Sequence, residues 1–201
     1  HIGATQVTGA KLNTDVISAQ TALAVAPADT DEFMVSDGGV LKRIDYSLIK
    51  GGDNTPSFFA YMSADQTGIA DATYTKLSMN AEVYDTDSAY DSSTNYRFTV
   101  PSGKDGTYQF GISLYIESAV TVAYSGIGLY KNGTRIFQNQ EGVDNIIYKN
   151  LFATLPLVAT DYIEAYVIGG VSGGTLTINQ DTSSLPSQYN RAYWYGYKLI
   201  G

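Results

Sequence analysis

Thr107-Tyr-Gln-Phe-Gly-Ile-Ser-Leu-Tyr-Ile-Glu117 alternates without a break. Tyr108, Phe110, Ile112, Leu114 and Ile116 face one way, and Gln109, Gly111, Ser113, Tyr115 and Glu117 the other. A period of two is that of a β-strand with one side in a core, because successive side chains of a strand leave on opposite faces. The neighbouring segments read the same way. Upstream, Tyr96-Arg-Phe-Thr-Val100 ends at Pro101, which has no N–H to give to a sheet. Downstream, residues 120–130 and 135–139 flank Lys131-Asn-Gly-Thr134. Asn-Gly accepts the two positive φ angles of a type I′ turn, so this stretch reads as a tight hairpin. Asn132-Gly133-Thr134 also fits the N-glycosylation pattern, but the turn explains it better.

Further out, residues 57–63, 73–79, 150–156, 162–168, 175–180 and 192–200 are short apolar runs between Gly, Pro, Asn and Asp clusters. No segment shows an amphipathic helix with caps. Many short strands at this spacing predict an all-β antiparallel sandwich, jelly roll or barrel. Gly169-Gly-Val-Ser-Gly-Gly174 reads as a flexible connecting loop. It lacks the Lys-Ser/Thr ending of a phosphate loop, and no helix follows.

The first fifty residues differ, with small side chains and weak periodicity. Within them, Glu32-Phe-Met-Val-Ser-Asp37 and Val40-Leu-Lys-Arg-Ile-Asp45 flank Gly38-Gly39, which predicts a β-hairpin. A lone two-stranded hairpin is marginal in water, so it must lie on something. Gly51-Gly-Asp-Asn-Thr-Pro56 reads as a linker or sharp turn. The expected division is a small hairpin segment over 1–52 and a β domain over 53–201. The chain does not begin with Met, so it is expected to be a piece of a longer protein or a processed product.

Composition narrows the function. Lys plus Arg is 12 against Asp plus Glu 20, a net charge of −8. That balance argues against nucleic acid and anionic lipid as partners. There is no cysteine, and the single histidine is His1. Disulfides, thiolate sites, cysteine nucleophiles and histidine-based triads or metal sites are therefore excluded. No apolar run is long enough to cross a membrane as a helix. Tyrosine occurs 17 times beside 20 glycines, while charged residues are only 16%. Such a chain reads as an all-β protein with large contact surfaces, since Tyr has an apolar body and a polar tip.

Ala89-Tyr-Asp-Ser-Ser-Thr-Asn-Tyr-Arg-Phe-Thr-Val-Pro101 followed by Gly106-Thr-Tyr-Gln-Phe110 resembles the globular head of complement component-1 subunit q and its tumour necrosis factor-like jelly-roll relatives. The family pattern there is a Tyr-Asp turn, Phe-Thr-x-Pro and Gly-x-Tyr-x-Phe. Ser102-Gly-Lys-Asp105 makes that loop longer than in the family. Phe58 to Ser63, Gly128 to Gly133, Leu155 to Ile163 and Tyr195 to Ile200 resemble further family segments in the same order, with Thr160 where the family has Gly. The resemblance implies a jelly roll that forms a compact homotrimer. The residues point the same way independently: Tyr108, Phe110, Tyr193, Tyr195, Tyr197 and Leu199 supply more apolar surface than one sandwich interior needs, and are expected at the interface between copies, against the alternative of ordinary core. Ala28 to Tyr46 resembles a short module of bacteriophage tail-fibre and virion proteins, found before a C-terminal tip domain. In a threefold shaft such a hairpin would bury Phe33, Val35, Leu41 and Ile44.

Several clusters have residue types that could carry chemistry. Asp85, Asp87 and Asp91 fall in one loop, which reads as a solvated acidic turn, with calcium as the alternative. Glu117 with Asp144, or Glu141 with Asp161, would be the carboxylate pairs of a glycosidase, but nothing in the sequence brings either pair together. Trp194, Tyr148, Tyr189 and Tyr90 are candidates for stacking on sugar rings, against an ordinary packing role for each. The expectation is a non-enzyme with no cofactor and no metal. Its partners would be two further copies of itself, upstream virion proteins and a bacterial cell-surface receptor, glycan or protein. It would sit on the virion, outside the cell during attachment. The alternatives are a structural virion trimer that binds no host, and a secreted trimeric ligand or surface-filament tip.

Overall fold

The computed structural model describes residues 15–142, 146–180 and 192–199. The chain divides into two compact units, one ending at Gly51 and the other beginning at Gly52. The first holds a four-residue helix, Asp15–Ser18, and the predicted hairpin of β1 (Glu32–Asp37) and β2 (Val40–Asp45). Its register places Asp37 opposite Val40, so Gly38 and Gly39 form the two-residue turn, with φ of 58° and 83°. Lys42 pairs with Asp37 and Arg43 with Glu32. No described residue of this unit is buried: Phe33 is 40% exposed and Leu41 67%, and Val35 and Ile44 are half-buried.

The second unit is all-β. Its strands are β3 (Ser57–Tyr61), β4 (Gln66–Ile69), β5 (Thr75–Lys76), β6 (Ala81–Asp85), β7 (Tyr90–Asp91), β8 (Arg97–Thr99) and β9 (Gly106–Glu117). They continue with β10 (Val122–Lys131), β11 (Thr134–Gly142), β12 (Ile146–Leu157), β13 (Tyr162–Val171), β14 (Leu176–Ile178) and β15 (Tyr193–Lys198). All pairings are antiparallel. One sheet runs β12-β9-β15-β3-β6, with β14 beside the far end of β9 and β4 beyond it. The other runs β11-β10-β13-β8-β7, and β5 also pairs with β13. The chain thus crosses repeatedly between two sheets in the order of a jelly roll, with first and last strands, β3 and β15, side by side.

Between the sheets lies an aromatic core. Phe58 stacks on Tyr90 at 4.7 Å and on Phe98 at 5.4 Å, and meets Trp194 edge-on at 5.0 Å. Phe58, Phe98, Tyr108, Phe110 and Trp194 have no exposed surface. The decisive alternation holds throughout β9: Tyr108, Phe110, Ile112, Leu114 and Ile116 are all buried. This corrects the expectation for Tyr108 and Phe110. Both rings are consumed inside one chain by contacts with Phe98, so neither can line an interface between copies.

The Asn132-Gly133 turn has φ of 51° and 78°, both left-handed as a type I′ turn requires. The glycine stretch at 169–174 is only partly a loop. Gly169 and Gly170 continue β13 by pairing with Ser125 and Tyr124, and glycine suits both positions because Leu176 and the Tyr124 ring lie over them. A β-carbon there would fall 2.1 Å from Leu176 Cδ1 and 2.2 Å from Tyr124 Cε1. Only Gly173 and Gly174, at φ of 83° and 89°, make the turn. The run at 73–79 forms just the two-residue β5, while Leu77 and Met79 still point into the core.

Candidate functional site

The face of the first sheet turned away from the core carries an aromatic row, in which the one glycine is covered by a tyrosine ring. Register aligns Tyr84, Phe59, Tyr195, Gly111 and Phe152 across β6, β3, β15, β9 and β12. Residues directly opposite in an antiparallel pair share a face, so this line spans the sheet. Along β15, Tyr193, Tyr195 and Tyr197 stack in a ladder with successive centroids 6.5 Å apart, and Phe59 stacks on Tyr193 at 5.4 Å. Tyr195 lies flat on Gly111: a β-carbon there would be 2.4 Å from its Cζ. Nearer the end of the sheet, Tyr115 and Tyr148 meet at 4.8 Å.

Apart from the buried Tyr115, these rings reach the outside. Tyr84 is 47% exposed, Phe152 64% and Tyr148 63%, and Tyr193, Tyr195 and Tyr197 are half-buried. Burial and then the neighbouring Tyr197 and Tyr193 push the Tyr195 hydroxyl above its ordinary pKa, so it stays neutral. The outward positions of β3, β15, β9 and β12 include one charge, Glu117, at the end of β9. A patch this aromatic, rigid and poor in charge has the composition of an interface core. Of the six residues expected at an interface, the structure gathers Tyr193, Tyr195 and Tyr197 here. Leu199 lies just past the end of β15, half-buried, beside Lys198 and Lys104 rather than in the ladder.

The candidate chemistry disperses. Asp85 turns inward and accepts from the Ala89 and Tyr90 N–H groups, and burial raises its pKa. Asp87 pairs with Lys104 at 3.1 Å. Asp91 closes its own turn, accepting from the Thr94, Ser93 and Asn95 N–H groups and the Asn95 amide, which holds its carboxyl well below the usual range. Each carboxylate of that loop thus serves a separate local contact. Glu141 pairs with Lys149, while Asp161 sits by the opposite end of β11 with Asn132, so the two are far apart. Asp144 and Tyr189 lie outside the described residues. Glu117 accepts from the Asn179 amide, in a depression of about 560 Å³ shared with Asp65. Of the candidate sugar platforms, Trp194 and Tyr90 are core residues, and Tyr148 is exposed.

Asp161 has the best-defined electrostatics. Burial works against its charge. The Lys131 ammonium at 2.7 Å, the Val158 N–H and the Asn132 amide outweigh it and hold the carboxyl down to about 2. A carboxyl depressed in the folded state stabilises at pH above its unfolded value, and that stability is lost as pH falls through the folded one. Asp161→Asn is therefore expected to cost on the order of 2 kcal/mol near neutrality. In denaturant unfolding at stepped pH the gap from the unaltered protein should close between about 4 and 2. A gap independent of pH would refute this.

Sequence reasoning did not bring Phe59, Tyr84 and Phe152 into this row. Phe59 was legible as the outward neighbour of Phe58, but Tyr84 and Phe152 join the row only through the pairing of β6 and β12. It also missed a cluster on the other sheet. There Tyr130 lies 4.2 Å from Tyr166 and 5.9 Å from Tyr74, and Arg97, Arg135 and Lys76 stand over Tyr162, Tyr74 and Tyr166.

No family model and no curated protein sequence matches the chain significantly. Solved structures are similar to it. The globular domain of zebrafish complement 1qA protein is 14% identical, with a TM-score of 0.48, covering 73% of this chain and 98% of that one. Murine APRIL is 12% identical, with a TM-score of 0.49, covering 71% and 98%. The two-sheet architecture rests on the strand pairing of the chain itself.

Proposed function

We propose that the chain is the homotrimeric, non-enzymatic recognition head of a virion fibre, of a bacteriophage tail fibre in particular, that binds a bacterial surface glycan or protein. The observation that carries the assembly is the aromatic row from Tyr84 to Phe152 on a solvent-facing sheet. A soluble chain with that face bare would aggregate, and sister copies cover it with matching surface. The leading hairpin supports the same reading, because its exposed Phe33, Leu41 and Met34 need cover that the described residues of its own unit do not supply. Three equivalent copies turn weak single contacts into firm attachment.

Adsorption blocking tests the recognition half. The purified full chain, added to candidate host bacteria before the virus, is expected to coat the cells and lower adsorption in proportion to its concentration. A protein that neither coats cells nor blocks would instead be a structural trimer of the virion, locking fibre strands or decorating the particle, and the recognition reading would be withdrawn.

A further inference from the structure

We propose that the outward face of the second sheet binds an acidic polysaccharide, with Arg97 and Arg135 meeting its carboxylates and the half-buried Tyr74, Tyr130, Tyr162 and Tyr166 supporting the guanidinium groups and lining the contact. This names the ligand class for the recognition head and rests on that reading.

The argument starts from charge. In a protein with net charge −8, cations are scarce and mostly committed. Among the described residues, every Lys and Arg makes an ion pair with a carboxylate except Arg97, Arg135 and Lys198. Two of those three lie on this one face. Each rests on a tyrosine ring: the Arg97 guanidinium is 4.3 Å from the Tyr162 centroid, and that of Arg135 4.7 Å from the Tyr74 centroid. A guanidinium over a ring can still present N–H groups to a carboxylate, and that of Arg135 also meets the Tyr130 hydroxyl.

Register fixes the spacing. Arg135, Tyr130, Glu164 and Arg97 stand opposite one another across β11, β10, β13 and β8. Three strand intervals separate the two arginines, about 14 Å at the usual sheet spacing. That span suits a polymer with repeated acidic groups rather than one small anion. The tyrosines fill the interval, and Gly128 leaves room for them, since a β-carbon there would be 3.0 Å from Tyr74 and 3.2 Å from Tyr130.

The nearby carboxylates do not cancel the arginines. Glu164 is buried and paired with Lys76, which also stands 5.8 Å from the Tyr166 ring. Asp91, opposite Arg97, keeps its charge but turns its oxygens to the N–H groups of its own turn, and Asp161 is paired with Lys131. The face therefore offers rings and two guanidinium groups that make no ion pair, on an otherwise acidic molecule. Acidic sugars complement that combination.

The test uses the full chain on immobilised polygalacturonate, with uncharged dextran and single-stranded DNA as comparisons. The unaltered protein should be retained on polygalacturonate and released by rising salt, with no retention on dextran and weaker retention on DNA. Arg97→Gln with Arg135→Gln should weaken retention at least about tenfold without changing solution mass or circular dichroism. Arg97→Lys with Arg135→Lys should fall between, because the charge remains and the flat edge is lost. Absence of retention, equal retention on dextran, preference for DNA, or a glutamine double variant that binds like the parent would each overturn the proposal. If that variant binds polygalacturonate poorly yet blocks host adsorption as well as the parent, this face is not the receptor site and the recognition reading stands. If the parent blocks nothing, the recognition reading fails by itself.

Discussion

Replacing Tyr195 and Tyr197 with lysine is expected to leave folded single chains in place of the proposed trimer. Both rings are half-buried on a face turned from the core, so a lysine at either position can run its stem along the sheet and keep its ammonium in water. Circular dichroism of the variant should match the parent. Association is different. Each copy would bring two unpaired charges into an apolar contact, at a cost of several kcal/mol per ion. It would also lose two aromatic anchors, each typically about 2 kcal/mol or more. The combined loss raises the dissociation constant by several orders of magnitude, so a micromolar solution should show no trimer by light scattering. Tyr195→Phe, which keeps the ring over Gly111, should assemble normally. Undiminished assembly of the lysine variant would remove this face from the interface.

The second large effect separates two adjacent residues. Phe58→Ala should destabilise the domain by about 3–5 kcal/mol, the usual cost of emptying a ring-sized site in a core. Phe58 has no exposed surface and joins both sheets through Tyr90 and Phe98 on one side and Trp194 on the other. Such a loss is a large part of a typical domain's 5–15 kcal/mol, about that total for a marginal one. Phe59→Ala should cost the single chain far less and weaken association instead, because its ring lies on the outward face against Tyr193 and Tyr195. Thermal unfolding reports the first effect and solution mass the second. If the two substitutions exchanged their effects, the register of β3 would be wrong by one residue, since a single step moves every side chain to the other face.

The strand signals were legible where a strict period of two ran for many residues, as in β9, or where a turn type demanded particular residues, as at Gly38-Gly39 and Asn132-Gly133. Short strands were not. Gln66–Ile69, Ala81–Asp85 and Tyr90–Asp91 exist because neighbours supply the pairing, and the local sequence gives no period to detect. The same limit governs the site. Tyr193, Tyr195 and Tyr197 announce a face by spacing alone. Tyr108 and Phe110 look equally suited to an interface, and only the placement of Phe98 across the core shows that they are used internally. The alignment of Tyr84 with Phe152, and of Arg97 with Arg135, crosses several strands distant in sequence. No local pattern encodes such an alignment; the sheet order does.

The mass of the purified full chain at micromolar concentration, by sedimentation equilibrium, bears most directly on this account. The expected value is three times the 21.7 kDa of one chain, holding on dilution until the aromatic sheet faces part. A stable particle of a single chain's mass, with Tyr193, Tyr195 and Tyr197 open to solvent and no tendency to associate, would contradict it.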